Sequence, residues 1–276
     1  MSTTKWMLAT ALLGCTVLAG WVAYEMKIRT EAPVEWLNPQ PEELKNKGVR
    51  HLIIDSQVLG QPLGVSVYQP QGFAENDPPV VVYFLHGRGG NEHSDVASMV
   101  DILLSRFDEL GLGAPLMVFP NAGASGYWPP FNRVFFDELV PQVEAALYSG
   151  TAPLRRLIMG FSLGGSGAVR YAVEQPQMFS GALSFGGGVN FEDEAFRAAA
   201  AEAGRHFRDS GFVAYFINGE HDRPNAFAGL AQLWQEEGID AQQLVVPDIG
   251  HPFGLYLERS NHWLSRFIKT SLRIPE

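Results

Sequence analysis

From residue 48 onward, short and largely apolar runs alternate with longer amphipathic ones, and this alternation constrains the fold more than any other feature. Pro79-Val-Val-Val-Tyr-Phe-Leu85 contains no polar break beyond a tyrosine hydroxyl. A strand needs that composition when both of its faces are covered. Leu116–Phe119, Arg156–Met159, Ala182–Phe185, Val213–Ile217 and Gln243–Val246 repeat the pattern. Helical patterns lie between or after them, at 96–110, 135–148, 163–173, 192–203, 226–235 and 255–268. His51–Asp55 and Gly64–Tyr68 come first, with no helix between them, and read as an antiparallel pair. Such a chain is expected to form a mainly parallel central sheet with helices on both faces. Functional groups then collect at the carboxyl ends of the strands.

Residues 48–276 suit one α/β domain. Hydrophobic residues make up 46% and charged residues 18%, enough for a large core. The formal charge is −10, from 20 Lys and Arg against 30 Asp and Glu, and no basic run interrupts the chain. Nucleic acid is therefore excluded as a partner, since phosphate binding requires a positive patch. Cys15 is the only cysteine, so the folded part has no disulfide framework, zinc ribbon or thiol nucleophile. No cofactor or metal is expected. Ser166 stands where a phosphate-binding loop would need lysine after Gly165, Glu92 breaks the dinucleotide pattern begun at Gly87, and no H-E-x-x-H occurs.

Residues Trp6 to Tyr24 carry no charge and would reach roughly 30 Å as a helix, about the thickness of a hydrocarbon core. Aromatic residues at both ends suit the two membrane interfaces. Residues 1–25 therefore read as a signal peptide or membrane anchor. Three fates stand open: a retained anchor, cleavage after Ala19 or Ala23, or lipidation of Cys15 in a Leu12-Leu13-Gly14-Cys15 lipobox. Each exports the remainder, which is then membrane-anchored, periplasmic or extracellular, with the membrane as a partner if the segment is uncleaved. The Pro- and charge-rich stretch 26–47 reads as a linker.

Gly160-Phe161-Ser162-Leu163-Gly164 matches G-x-S-x-G and falls between a strand pattern ending at Met159 and a helix pattern beginning at Leu163. That is the nucleophile-elbow context of the α/β-hydrolase fold. The serine occupies a sharp turn, so the residues two positions away must be glycine for strand and helix to approach. The helix N-terminus then directs free N–H groups at a developing oxyanion. Leu85-His86-Gly87-Arg88-Gly89-Gly90 follows the first buried strand, where this fold places its second oxyanion donor. The backbone N–H groups of Arg88 and Leu163 are assigned to that hole, with His86 as a buttress.

The order of the triad in this fold is serine, acid, histidine. Asp222, in Asn218-Gly219-Glu220-His221-Asp222, and His251, in Asp248-Ile249-Gly250-His251, follow successive strand patterns. His251 would take the serine proton through Nε2 while the acid fixes its Nδ1 tautomer. Glu220 competes for the role of the acid. Glu220, His221 and Asp222 could also be read as a metal cluster, but adjacent residues seldom converge on one ion.

These residues together resemble the "putative esterase" group of α/β-hydrolases, which includes S-formylglutathione hydrolases, feruloyl and acetyl esterases, and mycolyltransferases. The resemblance runs from Ser56 to Phe267. It rests on Tyr83–Gly90, Phe119-Pro-Asn-Ala-Gly123, Asp137-Glu-Leu-Val-Pro141, Gly160–Gly165, Gly219–Asp222 and Gly250-His251. It implies a small-molecule carboxylic ester as substrate, the acid at Asp222 through a G-x-x-D loop, and Trp128 as a wall of the acyl pocket. The cysteine-containing loop of S-formylglutathione hydrolases is missing. The expected activity is that of a serine carboxylesterase forming an acyl-enzyme on Ser162. Acyl transfer to cell-envelope sugars or lipids, and a catalytically silent membrane-anchored binding protein, are the alternatives. The interval 186–211 has room for one helix but no large lid, so short acyl chains are expected to be preferred.

Overall fold

A computed structural model of the protein describes residues 35–73, 79–150 and 154–274. The leading segment 1–25, read as a signal or anchor, lies outside them. The main unit begins at Trp36. Eight strands form one sheet: β1 (Val49–Ser56), β2 (Gln61–Tyr68), β3 (Val80–Leu85), β4 (Leu116–Pro120), β5 (Arg155–Phe161), β6 (Gly181–Phe185), β7 (Val213–Gly219) and β8 (Asp240–Val246). Their order is β1-β2-β4-β3-β5-β6-β7-β8. β2 runs antiparallel to both neighbours, and every pairing from β4 to β8 is parallel.

The uninterrupted apolar runs are explained by the two layers. Val81, Tyr83 and Leu85 enter one core and Val80, Val82 and Phe84 the other. After α1 (Glu42–Asn46), the second core is closed by α2 (Val96–Glu109) and by the last helix, α8 (Phe253–Ser271). The first is closed by α3 (Phe131–Arg133), α4 (Val140–Leu147), α5 (Leu163–Glu174), α6 (Glu194–Ser210) and α7 (Ala228–Glu236).

Several boundaries differ from the sequence pattern. The helix expected at 135–148 starts at Phe131 and passes through a π-helical stretch, Val134–Leu139, which seats both Val134 and Phe135 in the core. α6 continues to Ser210, where Gly211 adopts the left-handed conformation that ends it. α8 kinks at Ser260, whose hydroxyl donates to the Tyr256 carbonyl, 2.5 Å away.

The expected linker at 26–47 also needs correction over its second half. From Trp36 onward it is part of the folded unit. The Trp36 carbonyl accepts the Gly64 N–H at 2.6 Å, and its indole stacks on Phe131. Asn38 binds the buried Glu92 carboxylate through its backbone N–H at 2.7 Å and its side-chain amide at 2.9 Å. Charge and proline content resembled a linker because the partners of these contacts lie far along the chain.

Candidate active site

Ser162 stands at the junction of β5 and α5 with φ 55° and ψ −115°, a conformation costly for a residue with a Cβ. Its N–H donates to the Phe185 carbonyl of β6 at 2.7 Å, which fixes the turn against the neighbouring strand. The flanking glycines are required by close approach. A Cβ on Gly160 would lie 2.4 Å from the Gly164 backbone, and one on Gly164 would lie 2.0 Å from the Leu85 carbonyl oxygen.

The strand order sets what surrounds the serine. β3 lies on one side of β5 and β6 on the other, so the loops after these strands flank Ser162 from opposite directions. On the β6 side, the loop after β8 carries His251, whose Nε2 is 2.8 Å from Ser162 Oγ. Its Nδ1 is 2.6 Å from Asp222 Oδ2, in the loop after β7. Asp222 is buried, while 45% of the His251 side chain is exposed, so the relay runs from a solvent-accessible imidazole to an interior carboxylate. With a carboxylate at Nδ1, that nitrogen carries the proton and Nε2 is left to accept from the serine hydroxyl. Phe161 packs beside the imidazole, with ring centroids 4.9 Å apart.

Tyr256, on α8, was not singled out from sequence. Its hydroxyl donates to Asp222 Oδ2 at 2.5 Å and accepts the Gly219 N–H at 2.8 Å. Burial and the adjacent carboxylate hold its phenol well above the ordinary tyrosine range, so it stays a donor. A lone tyrosine in a helical pattern carries no signal of such a role. Glu220 faces elsewhere: it is exposed, and its carboxylate accepts the Asp248 N–H at 3.1 Å.

On the β3 side, a Cβ on Gly87 would lie 3.5 Å from the Ser162 Cβ, so the loop carrying Arg88 passes directly beside the serine. Leu163 is the first residue of α5. Beneath this loop the buried His86 ring pairs Nδ1 with the Gly87 carbonyl at 2.8 Å, and Nε2 accepts the Ala122 N–H at 3.0 Å. Burial lowers the His86 pKa, which keeps the ring neutral. Tyr127, also buried, donates to the His86 carbonyl at 2.8 Å.

Trp128 is 54% exposed. The Arg170 guanidinium lies 3.6 Å from its ring centroid, a cation–π contact that restrains the indole. A Cβ on the nearby Gly126 would meet Trp128 Cδ1 at 3.1 Å and Leu163 Cδ1 at 3.8 Å, so this loop borders the Leu163 side of the site.

Two groups of potential metal ligands occur among the described residues. In the first, Glu92 accepts from Asn38 and Asn121, and His93 engages Ser66 and the Asn38 carbonyl through its two ring nitrogens. That group anchors the segment around Asn38. The second, Glu220, His221 and Asp248, is wholly exposed, and Asp222 stands apart from it, turned toward His251.

A serine on a strained strand–helix turn, with a histidine and a buried aspartate delivered by later strands of a mostly parallel sheet, defines an α/β-hydrolase. Residues 56–263 match the family described as "Putative esterase", and the chain belongs to that family. It is similar to an endo-1,4-beta-xylanase/feruloyl esterase of Xylanibacter ruminicola, 22% identical over 232 residues that cover 77% of this chain and 30% of that protein. The chain spans less than half the length of the curated relatives it matches. Among solved structures, the CE1 ferulic acid esterase of Anaeromyces mucronatus in complex with ferulic acid has a TM-score of 0.63 at 15% identity, covering 87% of this chain and 99% of that one. The S-formylglutathione hydrolase of Agrobacterium tumefaciens has a TM-score of 0.54 at 18% identity, covering 79% and 95%. At these identities the likeness is one of fold.

Proposed function

We propose that the chain is a serine carboxylesterase that cleaves small carboxylic esters through an acyl-enzyme on Ser162. The observation that carries this reading is the unbroken relay from Ser162 Oγ through His251 to Asp222, with contacts of 2.8 and 2.6 Å. Membership of an esterase family supports the same chemistry.

Ser162 Oγ attacks the ester carbonyl carbon as its proton passes to His251 Nε2. The carbonyl oxygen becomes an oxyanion and is received by the N–H groups of Leu163 and Arg88, which are fixed before the reaction begins. Asp222 stabilises the imidazolium that forms. His251 then gives the proton to the departing alkoxide, leaving an acyl-serine and a free alcohol. Water enters, loses its proton to His251, and releases the acid by the same sequence of steps.

The site is open. Ser162 and Leu163 are half-buried and His251 is exposed. The interval after β6 holds the single helix α6, which packs on the body of the domain, where the Trp234 indole donates to the Ala200 carbonyl at 2.9 Å. This supports small acyl groups, with Trp128 as one wall of their pocket. The apolar run at 6–24 supports export of the catalytic unit. Among the described residues no helix is long and apolar enough to cross a membrane. Fractionation tests export, and intact protein recovered from cytosol alone would defeat it. For the chemistry, a fluorophosphonate probe should label wild-type protein and leave Ser162→Ala unlabelled. Equal labelling of both would remove Ser162 from the mechanism.

A further inference from the structure

A second feature lies on the β6 side of Ser162, opposite the oxyanion loop. The chain leaves β6 through Gly186-Gly187-Gly188 and leaves β7 through Asp222-Arg223-Pro224-Asn225. Between these two exits is an open groove of about 560 Å³, lined by Gly188, Val189, Asn190, Arg223, Asn225 and Ala226 among others. That volume falls in the range of small-molecule sites. The groove adjoins the relay. A Cβ on Gly186 would lie 3.3 Å from His251 Cε1 and 2.9 Å from Asp222 Oδ2. The Gly188 N–H donates to Ser166 Oγ at 3.0 Å, one helical turn beyond Ser162, which ties the groove floor to the elbow helix.

Arg223 is the one cation among the residues lining this groove. Its backbone has φ 47°, a conformation unfavourable for a long side chain and seldom adopted without cause. The result is a guanidinium folded back over the glycine loop. Nη2 donates to the Gly186 carbonyl at 2.9 Å, and Nη1 would be 3.4 Å from a Cβ on Gly188. Nε stands 3.8 Å from Asp222 Oδ1, too far for a hydrogen bond. Asp222 is otherwise engaged through Oδ2 with His251 and Tyr256, so the Arg223 charge is only partly answered within the protein. The side chain is 58% exposed and reaches the groove. Glycines leave this wall without side chains, so a ligand can approach the guanidinium directly.

We propose that this groove is the subsite for the alcohol part of the ester, and that Arg223, with Asn190 and Asn225 beside it, selects alcohols bearing a carboxylate. The oxyanion is drawn toward the β3 side, so the leaving group lies toward His251, which must protonate it, and therefore along the groove. A planar guanidinium with N–H groups to spare matches a carboxylate in shape and charge. The chain as a whole is acidic, with a formal charge of −10, so a local cation in the groove next to Asp222 discriminates where the overall field does not. This inference rests on the esterase reading.

The test compares two acetate esters, 3-carboxyphenyl acetate and its uncharged amide analogue 3-carbamoylphenyl acetate, on wild-type protein, Arg223→Gln and Arg223→Lys. In wild type the charged ester should have the higher kcat/KM, by about two- to fivefold for a partly exposed pair, mainly through KM. Arg223→Gln should bring the ratio close to one, and Arg223→Lys should restore part of it. Added salt should lower the preference in wild type. The uncharged ester is the internal reference for any effect of Arg223 on Asp222. Equal loss on both esters in Arg223→Gln would make Arg223 a support for the acid and overturn the subsite. So would a wild-type ratio of one. Failure of wild type on both esters would overturn the esterase reading itself, whereas turnover of both without preference removes only the subsite.

Discussion

Replacing Tyr256 by Phe deletes a single oxygen atom from behind the acid and keeps the buried ring. Two hydrogen bonds vanish: the one to Asp222 Oδ2 at 2.5 Å and the one from the Gly219 N–H at 2.8 Å. A hydrogen bond to a charged group contributes about 1.5–3 kcal/mol, and a buried donor left unpaired costs about 1–3 kcal/mol. The pocket is fully buried, and phenylalanine offers no replacement. Because the two effects share one hydroxyl they do not simply add, and a net loss of about 3 kcal/mol is expected. For a domain of this size that lowers Tm by about 6–12 °C. The carboxylate keeps His251 as a partner but loses the anchor on its far side. A misplacement of the imidazole worth about 1.4 kcal/mol lowers kcat about tenfold. KM should hardly move, since Tyr256 lies behind the acid and does not face substrate. Steady-state kinetics on p-nitrophenyl acetate, read beside a thermal melt, provide the assay. A variant with Tm within about 2 °C of wild type and kcat within about twofold would show that the bridge is redundant and refute the reasoning.

Asp222→Asn should lower kcat by about three to four orders of magnitude by imposing the wrong imidazole tautomer, while Glu220→Gln stays near wild type; a larger loss in the Glu220 variant would reverse the assignment. Gly164→Ala places a methyl 2.0 Å from the Leu85 carbonyl oxygen, so a cooperative melt at wild-type temperature in that variant would contradict the elbow geometry. His86 has its folded-state pKa lowered by burial from 6.5, so the stability it confers is complete above that value and is lost as pH falls below it. Urea titrations at neutral and mildly acidic pH should accordingly show a smaller loss of stability in His86→Gln than in wild type, and identical slopes would dismiss the effect. Among p-nitrophenyl esters, acetate to butyrate should be preferred, because an added methylene gains its ~0.8 kcal/mol only when fully buried; an optimum at long chains, or a jump in rate above the micellar concentration, would indicate a covered channel.

The fold was legible because two faces of helix impose uninterrupted apolar strands, and runs such as Val80–Leu85 can hardly be read otherwise. Ser162 was legible because its turn has steric requirements that sequence must meet, at Gly160 and at Gly164. His251 and the loop carrying the acid could be placed from strand order, since loops at the carboxyl ends of parallel strands converge, whereas the choice of Asp222 over Glu220 rested on the family resemblance. Tyr256 and Arg223 escaped because their roles depend on distances across the fold and not on spacing along the chain. Tyr256 reaches back to Gly219, 37 residues away, and a helical tyrosine is indistinguishable from an ordinary core residue. The region from Trp36 to Lys47 was misread for a related reason. Its bonds are made to Gly64, Glu92 and Phe131, and none of these is visible in local composition.

That misread region has a bearing on how the protein can be cut. Glu92 is wholly buried, and Asn38 supplies two of the donors that satisfy it. Glu92 lies four residues beyond Arg88, in the same loop that passes the serine. A protease that nicked the chain between Asn38 and Lys47 would leave every triad residue in place and yet free the clasp on that loop. The buried carboxylate would keep Asn121 but lose both donors of Asn38, and the loop it anchors would loosen with it. A cut between Asn38 and Lys47 is therefore expected to lower turnover while leaving Ser162, Asp222 and His251 in place.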